Sequence, residues 1–426
     1  MVYTVAIIGC GSRGHDAYGV PIHKKKEQFK IVSVCDTNEI MLSHAKNDFE
    51  ISDENAFLSA EQFLEKKRAD ILVIATPDRD HVWIAVRALE LGYHLLLEKP
   101  ITGSEEQLKE LLDAQKKYDK RVIVCHVLRY APAFMMVKDI LDEGKIGKLV
   151  CIDALEQVAF WHQAHSFVRG NWRNSDLSSS MILQKCCHDL DLLQYYANAE
   201  CDTVYSVGDL SFFNRDNQPE GAADRCADCK FIKTCPYSAE NIYVGRWDRA
   251  NRRTEWPYNV VDTTRPITEE SLRKAYREGP YGRCVFACDN NVVDHQKVCM
   301  RFKNNVKASL TMTGFTDKSG RIMTFHGTLG EIELNENLGT LRLAVYGKQA
   351  EYFKISEIIN AKVKDAFGHG GGDQSMLDTL YGAVAGTADS RTGLKESVES
   401  HLMAITAEKS RLSGNVEKVH HLGEEK

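Results

Sequence analysis

The sequence predicts an α/β protein: an N-terminal Rossmann-type, doubly wound parallel sheet, then an α+β domain built on a largely antiparallel open sheet. Three observations carry this. An apolar run, Val5-Ala-Ile-Ile8, breaks at once into Gly9-Cys-Gly11-Ser12-Arg13-Gly14, the spacing of a strand that turns sharply into a helix. Short β-branched runs then alternate with amphipathic helical stretches, as βαβ units require. Beyond Gly147 the pattern changes to longer alternating runs joined by hairpin-type turns. The 426 residues, 43% hydrophobic and 27% charged, suffice for two domains with cores of their own. They are drawn at 1–128 and 129–426, with a cysteine-rich insertion at about 220–290 in the second.

In order, strands are expected at 4–8, 31–35, weakly near 49–51, and at 71–75, 94–97 and 121–125. Helices are expected at 39–48, 80–91 and 104–118, with Ser104 and Gln107 placed as a capping box and Gly92 as a C-cap. In the second domain, strands are expected at 292–302, 306–312, 321–326, 331–334 and 340–346. Closing helices follow at 373–386 and 395–412, before a tail, 416–426, with little to bury. No internal repeat is seen.

Composition narrows the function. A formal charge of -6 leaves no basic surplus for nucleic acid. No apolar run approaches a membrane span, and the short apolar start flows into the glycine turn, so no membrane role is expected and the compartment read from the sequence is the cytoplasm. Thirteen cysteines, many isolated inside apolar runs (Cys10, Cys35, Cys125, Cys151), read as buried thiols in a reducing environment.

The glycine pattern suits a dinucleotide. Gly9 permits the tight turn, Gly11 a close approach of backbone to pyrophosphate, and Gly14 close helix–strand packing, with Ser12 and Arg13 opening the helix that faces the anion. Asp36 closes the second strand about 20 residues past the last glycine, where a carboxylate accepts hydrogen bonds from the adenosine ribose. It argues for NAD, with Arg13 and Thr37 leaving NADP open. Two loops, Ala75-Thr76-Pro77-Asp78 with His81 just beyond and Glu98-Lys99-Pro100, follow strands four and five, where an open parallel sheet presents its active site, so their side chains should line the crevice holding the cofactor. Lys99 stands out because a hydride leaves a carbinol carbon only if the hydroxyl proton is also taken.

Together Gly9–Gly14, Asp36, Ala75-Thr76-Pro77, Glu98-Lys99-Pro100, Arg129-Tyr130-Ala131-Pro132, Gly144-Lys-Ile-Gly147 and His188-Asp-Leu-Asp191 resemble the glucose-fructose oxidoreductase, inositol dehydrogenase and MocA (Gfo/Idh/MocA) family. The resemblance implies an NAD-dependent oxidoreductase acting on a sugar, sugar derivative or cyclitol. Lys99 would take part in proton transfer, often beside a cis bond to Pro100, and His188 would face it from the second domain. A homo-oligomer, dimer or tetramer, through the C-terminal sheet is also implied. Two further readings stay open: a glycoside-cleaving or eliminating enzyme that oxidises its sugar transiently, and a non-enzymatic NAD-binding regulator, the latter disfavoured by Lys99 and His188.

One departure matters. The family's usual aspartate four residues before the histidine is Gln184 here, followed by Lys185, which is read as a pocket residue for a keto or carboxylate oxygen. Further substrate candidates are Arg129 and Tyr130, the polyol-binding types His165, Arg169, Trp172 and Arg173, and His369, whose neighbour Asp373 is placed as a helix cap. Finally, Cys226-Ala-Asp-Cys229 and Cys235 have thiolate spacing for a metal. The fourth ligand must come from Cys284, Cys288 or His295, and Cys288 is carried forward. A structural zinc is preferred, with an iron–sulfur cluster and plain buried thiols as rivals.

Overall fold

A computed structural model describes residues 1–247, 256–364 and 366–422. The first sheet has six strands in the order β3-β2-β1-β4-β5-β6, all parallel. They are β1 (Tyr3–Ile8), β2 (Phe29–Cys35), β3 (Ala56–Phe57), β4 (Ile71–Ile74), β5 (His94–Leu97) and β6 (Val122–Val124). The third strand is a correction: 49–51 is not a strand, because Phe49 ends the helix Glu39–Asp48 and is buried as its hydrophobic stop, and pairing with β2 waits until Ala56. Other elements fall close to expectation, among them the helices His81–Glu90 and Glu105–Tyr118, the latter capped by Ser104 Oγ accepting from Gln107 N at 3.3 Å. The expected reciprocal bond of a capping box is replaced, since the Gln107 side chain pairs with Thr102 Oγ1.

Alternation sends the strand residues to two cores. Ala6, Ile8, Leu72 and Ile74 face one way into an apolar body that continues unbroken into the second domain. Val5, Ile7, Ile71 and Val73 face the other way, where part of the cover is local, from Tyr18, Ile22 and Ala45, and part comes from far along the chain: Met376, Leu377 and Leu380 of the helix Gly372–Ala385.

The second sheet has nine strands in the order β14-β13-β12-β11-β7-β10-β9-β8-β15. Its strands are β7 (Leu149–Ala159), β8 (Cys201–Asp209), β9 (His295–Phe302), β10 (Lys307–Thr316), β11 (Gly320–Gly327), β12 (Gly330–Asn335), β13 (Thr340–Val345), β14 (Glu351–Lys354) and β15 (Glu417–Lys418). Every pairing is antiparallel except β7 with β10. The tail thus contributes an edge strand, while its last four residues, 423–426, lie outside the described residues. Strict alternation in β9 and β10 puts Val298, Met300, Leu310 and Met312 on the covered face. That face packs on the helices Met181–Ala197 and Leu394–Ser413, both buried along most of their length. Packing Met181–Ala197 between the two sheets is what brings its polar residues to the C-terminal ends of β4 and β5. Among the described residues no helix is long and apolar enough to cross a membrane, and all thirteen cysteines are free thiols.

Candidate active site

At the end of β1, Gly9 has φ +89° and donates its N–H to Cys35 O at 2.9 Å; a Cβ there would lie 2.5 Å from Ala75 O. A Cβ on Gly14 would lie 1.8 Å from Gly9 O, so only glycine lets the helix sit this close to the strand. Gly11 differs: nothing lies within 4 Å of where its Cβ would be, and its backbone faces open space at the start of the wide helical turn Ser12–Gly19. Asp36 reaches back across this turn, its Oδ2 accepting from Cys10 N at 2.6 Å and its Oδ1 from Asn38 N at 2.7 Å. Burial raises its pKa and these two bonds oppose the rise.

Arg13 is not free to meet a 2′-phosphate, contrary to the option left open above. Its Nε donates to Glu98 Oε1 at 2.6 Å and its Nη2 to Asp373 Oδ1 at 2.7 Å, and it also bonds Tyr18. Asp373 accordingly binds Arg13 and His369 Nδ1 (2.7 Å) and does not cap its own helix. Burial would raise the Glu98 pKa, but the charges of Arg13 and Lys99 outweigh it and hold the carboxyl below its ordinary value.

The two strand-end loops are tied together by His81, whose Nδ1 lies 2.8 Å from Pro100 O and whose Nε2 lies 2.9 Å from Thr76 O. His81 is therefore a brace under the cleft. Pro77 is exposed, and the Thr76 Oγ1 is buried with no hydrogen-bond partner. The Lys99–Pro100 peptide is cis, and Lys99 Nζ donates to the backbone carbonyl of Gln184 at 3.1 Å.

From the second domain, Gln184 and His188 lie one turn apart on the helix Met181–Ala197 and share a face. The Gln184 amide donates to Asp78 Oδ2 at 2.8 Å and to Ser178 Oγ at 2.6 Å, while Ser179 Oγ also binds Asp78. A carboxylate is thus present beside position 184 after all, supplied by Asp78 of the first domain. Asp78 belongs to the loop after β4 that was expected to line the crevice, but its pairing with Gln184 was not foreseen. His188 is buried, with Nδ1 unpartnered and its ring 5.7 Å from those of His126 and His369. Burial, then the charges of Lys99 and His369, press its pKa well below the usual histidine range, so the ring is neutral. His162 was also missed. It opens the polyol-type stretch, its ring 4.8 Å from Trp256 and 5.8 Å from Phe167, and burial, then the charges of Lys185, His165 and Lys99, hold its pKa well below the usual histidine range.

Several expected substrate residues are elsewhere. Arg129 is buried and bidentate on Asp191 (2.7 and 2.8 Å), and the Tyr130 hydroxyl bonds Ser390 and Thr392, so both tie the segment that opens the second domain to the rest of that domain. Lys185 Nζ is held by Glu156 Oε1 at 2.8 Å, within a buried cluster that includes Arg321 and Asp189. His165 stacks on Tyr281 at 4.8 Å and bonds Tyr243 at 3.0 Å, Arg173 is bidentate on Asp289, and Arg169 points into the insertion; Trp172 is half-exposed beside Phe167. These four belong to the insertion's own packing, because the segment that follows His162 packs against the insertion. Of this group only His369 comes to the site, beside His188. Cys226, Cys229 and Cys235 line one cavity, with Cys284 as the fourth cysteine. Cys288 is a correction, since its Sγ donates to Cys284 O at 3.2 Å and does not reach the cavity, while His295 pairs with Asp294.

Thr76 Oγ1, the open side of Gly11 and the Asp36 carboxylate all lie at the C-terminal ends of β1, β2 and β4, where an open parallel sheet takes a dinucleotide, and the residues present fit one. Across that crevice stand Lys99, His188, Gln184 and Asp78.

Comparison with known proteins agrees. Oxidoreductase YteT of Bacillus subtilis is 24% identical over 389 residues, 88% of each chain. Levoglucosan dehydrogenase, solved with NADH and levoglucosan, superposes with a TM-score of 0.71 at 17% identity, covering 98% of this chain and 100% of its own. The WlbA dehydrogenase of Bordetella pertussis, solved with NADH and UDP-GlcNAcA, gives 0.69 at 16% identity, covering 98% of each chain. Residues 3–126 match the model described as oxidoreductase family, NAD-binding Rossmann fold, and residues 138–419 match its C-terminal alpha/beta domain, so the chain belongs to the Gfo/Idh/MocA oxidoreductase family.

Proposed function

We propose that this oxidoreductase is an NAD-dependent dehydrogenase acting on a CH–OH group of a sugar, sugar derivative or cyclitol, with Lys99 as the proton acceptor. The observation that carries this reading is the meeting of Lys99 from the end of β5 with the Gln184–His188 face of a second-domain helix, beside the crevice where Thr76 and Gly11 are open. Bound NAD would supply the hydride acceptor. Gly9, Gly11, Ser12 and Gly14 would receive its phosphates at the helical turn, and Asp36 its ribose. Lys99 Nζ, which among the described residues bonds the Gln184 carbonyl alone, would take the hydroxyl proton as the hydride leaves. Neutral His188 would accept or donate a hydrogen bond at the same hydroxyl through its unpartnered Nδ1. Gln184, Asp78 and His162 would contact the neighbouring hydroxyls.

Support for a homo-oligomer comes from the uncovered face of the second sheet, where Tyr205, Val207 and Phe315 are exposed among polar neighbours. Support for a reducing compartment, the cytoplasm, comes from the free thiols.

The test is turnover of Lys99→Met against a panel of sugars, glycosides and cyclitols. Losing a positioned acid-base group should lower kcat by roughly 100- to 10,000-fold, with NAD affinity near wild type. Ordinary turnover in Lys99→Met, at an unchanged pH profile, would falsify the assignment.

A further inference from the structure

The cysteine-rich insertion holds a feature that hydride transfer does not use. An isolated antiparallel bridge between Arg225 and Arg283 brings two segments distant in the chain together, and the residue after each, Cys226 and Cys284, lines one shared cavity. The turn Cys226–Asp228, closed by Cys229 N donating to Cys226 O at 3.2 Å, returns Cys229 to the same point. Cys235 completes the set. The four surround a cavity of about 40 Å³ whose lining otherwise includes apolar groups such as Phe231, Ile232 and Phe286. One charged side chain enters it.

That side chain is Arg169, 1% exposed. Its Nε donates to Arg283 O and its Nη2 to Tyr237 O, both at 2.7 Å, and Nη2 also lies 3.5 Å from Cys226 Sγ. Its Nη1 has no hydrogen-bond partner, and no carboxylate among the described residues pairs with it. A guanidinium cannot shed its proton, and burying one against neutral thiols and carbonyls is unfavourable unless an anion compensates. Four thiolates around a divalent metal, or around an oxidised cubane cluster, form a dianionic centre that supplies this compensation.

We propose that Cys226, Cys229, Cys235 and Cys284 ligate a thiophilic metal centre, with Arg169 as its buried counter-charge. Zinc and an iron–sulfur cluster share this ligand chemistry. A single tetrahedral zinc at about 2.3 Å from each sulfur requires sulfurs about 3.8 Å apart. No three of these sulfurs gather within 4.8 Å of one another, so the spacing favours the wider cluster, and zinc requires the loop to contract. The centre acts as a staple. It joins the Cys226–Cys235 loop to Cys284 and, through Arg169, to the end of the segment that follows His162.

The experiment is elemental and sulfide analysis of the full chain, purified anaerobically without chelator and, in parallel, reconstituted with zinc or with iron and sulfide. About one zinc per chain, or iron with sulfide and a visible absorption that dithionite bleaches, supports the proposal and tells the two sources apart. Cys229→Ser and Cys284→Ser should lose the metal, whereas Cys288→Ser should retain it. Far less than one equivalent of either metal after reconstitution overturns the proposal, as does a Cys288→Ser protein that loses metal as fully as Cys284→Ser. Because the first measurement is made on the wild-type chain, misfolding of a variant does not blunt it.

Discussion

Acid should weaken this fold through histidines that it keeps neutral, and His401 allows the effect to be isolated. The ring is fully buried in the helix Leu394–Ser413, with Nδ1 donating to Ser397 O at 2.6 Å and Nε2 accepting from Ile101 N at 2.8 Å. A second proton would have to sit on Nε2, against the Ile101 N–H. Burial and then His126 bring its pKa to about 3, with Asp191 opposing and Lys99 assisting. The sign follows from linkage: the unfolded chain binds a proton near pH 6.5 that the fold refuses, so this contribution is complete above pH 6.5 and is lost as pH falls toward 3. Between pH 6.5 and 4.5 the loss is about 2 to 3 kcal/mol, from 1.36 kcal/mol per pH unit. Other groups titrate in this window, including Asp189, which burial raises to about 6 and which works in the opposite sense. A difference measurement removes them. His401→Gln keeps a donor and an acceptor but cannot titrate, so its deficit relative to wild type, read by urea unfolding, should shrink by about 2 to 3 kcal/mol from pH 7 to pH 4.5. An identical deficit at both pH values would refute the reasoning.

Two further outcomes are expected. Arg129→Met should destabilise the protein by about 3 to 5 kcal/mol, because it strands a buried Asp191 carboxylate, and should leave the KM of the folded fraction unchanged; a raised KM with normal stability would return Arg129 to the substrate site. Wild type should bind NAD more tightly than NADP in calorimetry, and Asp36→Ala should weaken NAD by about 10- to 100-fold, the value of a hydrogen bond to a charged acceptor, while NADP improves; tighter NADP binding by wild type would contradict the ribose role of Asp36.

Much of the frame was legible because it depends on local pattern. The glycine turn, β4, β5 and the helix Glu39–Asp48 follow from apolar runs, punctuation and caps that act within a few residues. The misplaced third strand failed on that same ground: Phe49 and Ile51 are apolar because they cover Tyr18 and Ile22, and two-residue β3 has no pattern to read. At the site, Lys99 and His188 could be named from motifs, but the partners of each charged group could not. Arg13, Arg129 and Lys185 looked available for ligands because their carboxylates, Glu98, Asp191 and Glu156, are 85, 62 and 29 positions away. Asp78 and His162 stood in segments expected at the cleft, yet neither was singled out, because the partner of Asp78, Gln184, is 106 positions away and nothing local sets His162 apart from its neighbour Trp161.

The helix Gly372–Ala385 lies over the first sheet and has a consequence in time. When the first 128 residues have left the ribosome, the face that carries Val5, Ile7, Ile71 and Val73 has its local cover from Tyr18, Ile22 and Ala45 but lacks the remainder until Met376, Leu377 and Leu380 are made. At about 5 to 20 residues per second, the roughly 250 intervening residues impose a wait on the order of ten to fifty seconds. Throughout it the nucleotide-binding domain presents an incompletely covered aliphatic surface, the kind of surface that chaperones hold and proteases find. Nascent chains stalled before residue 372 should therefore be degraded by added protease faster than those stalled after residue 413, and equal resistance would show that the first domain closes without its late cover. The domain synthesised first is, by this packing, among the last to be finished.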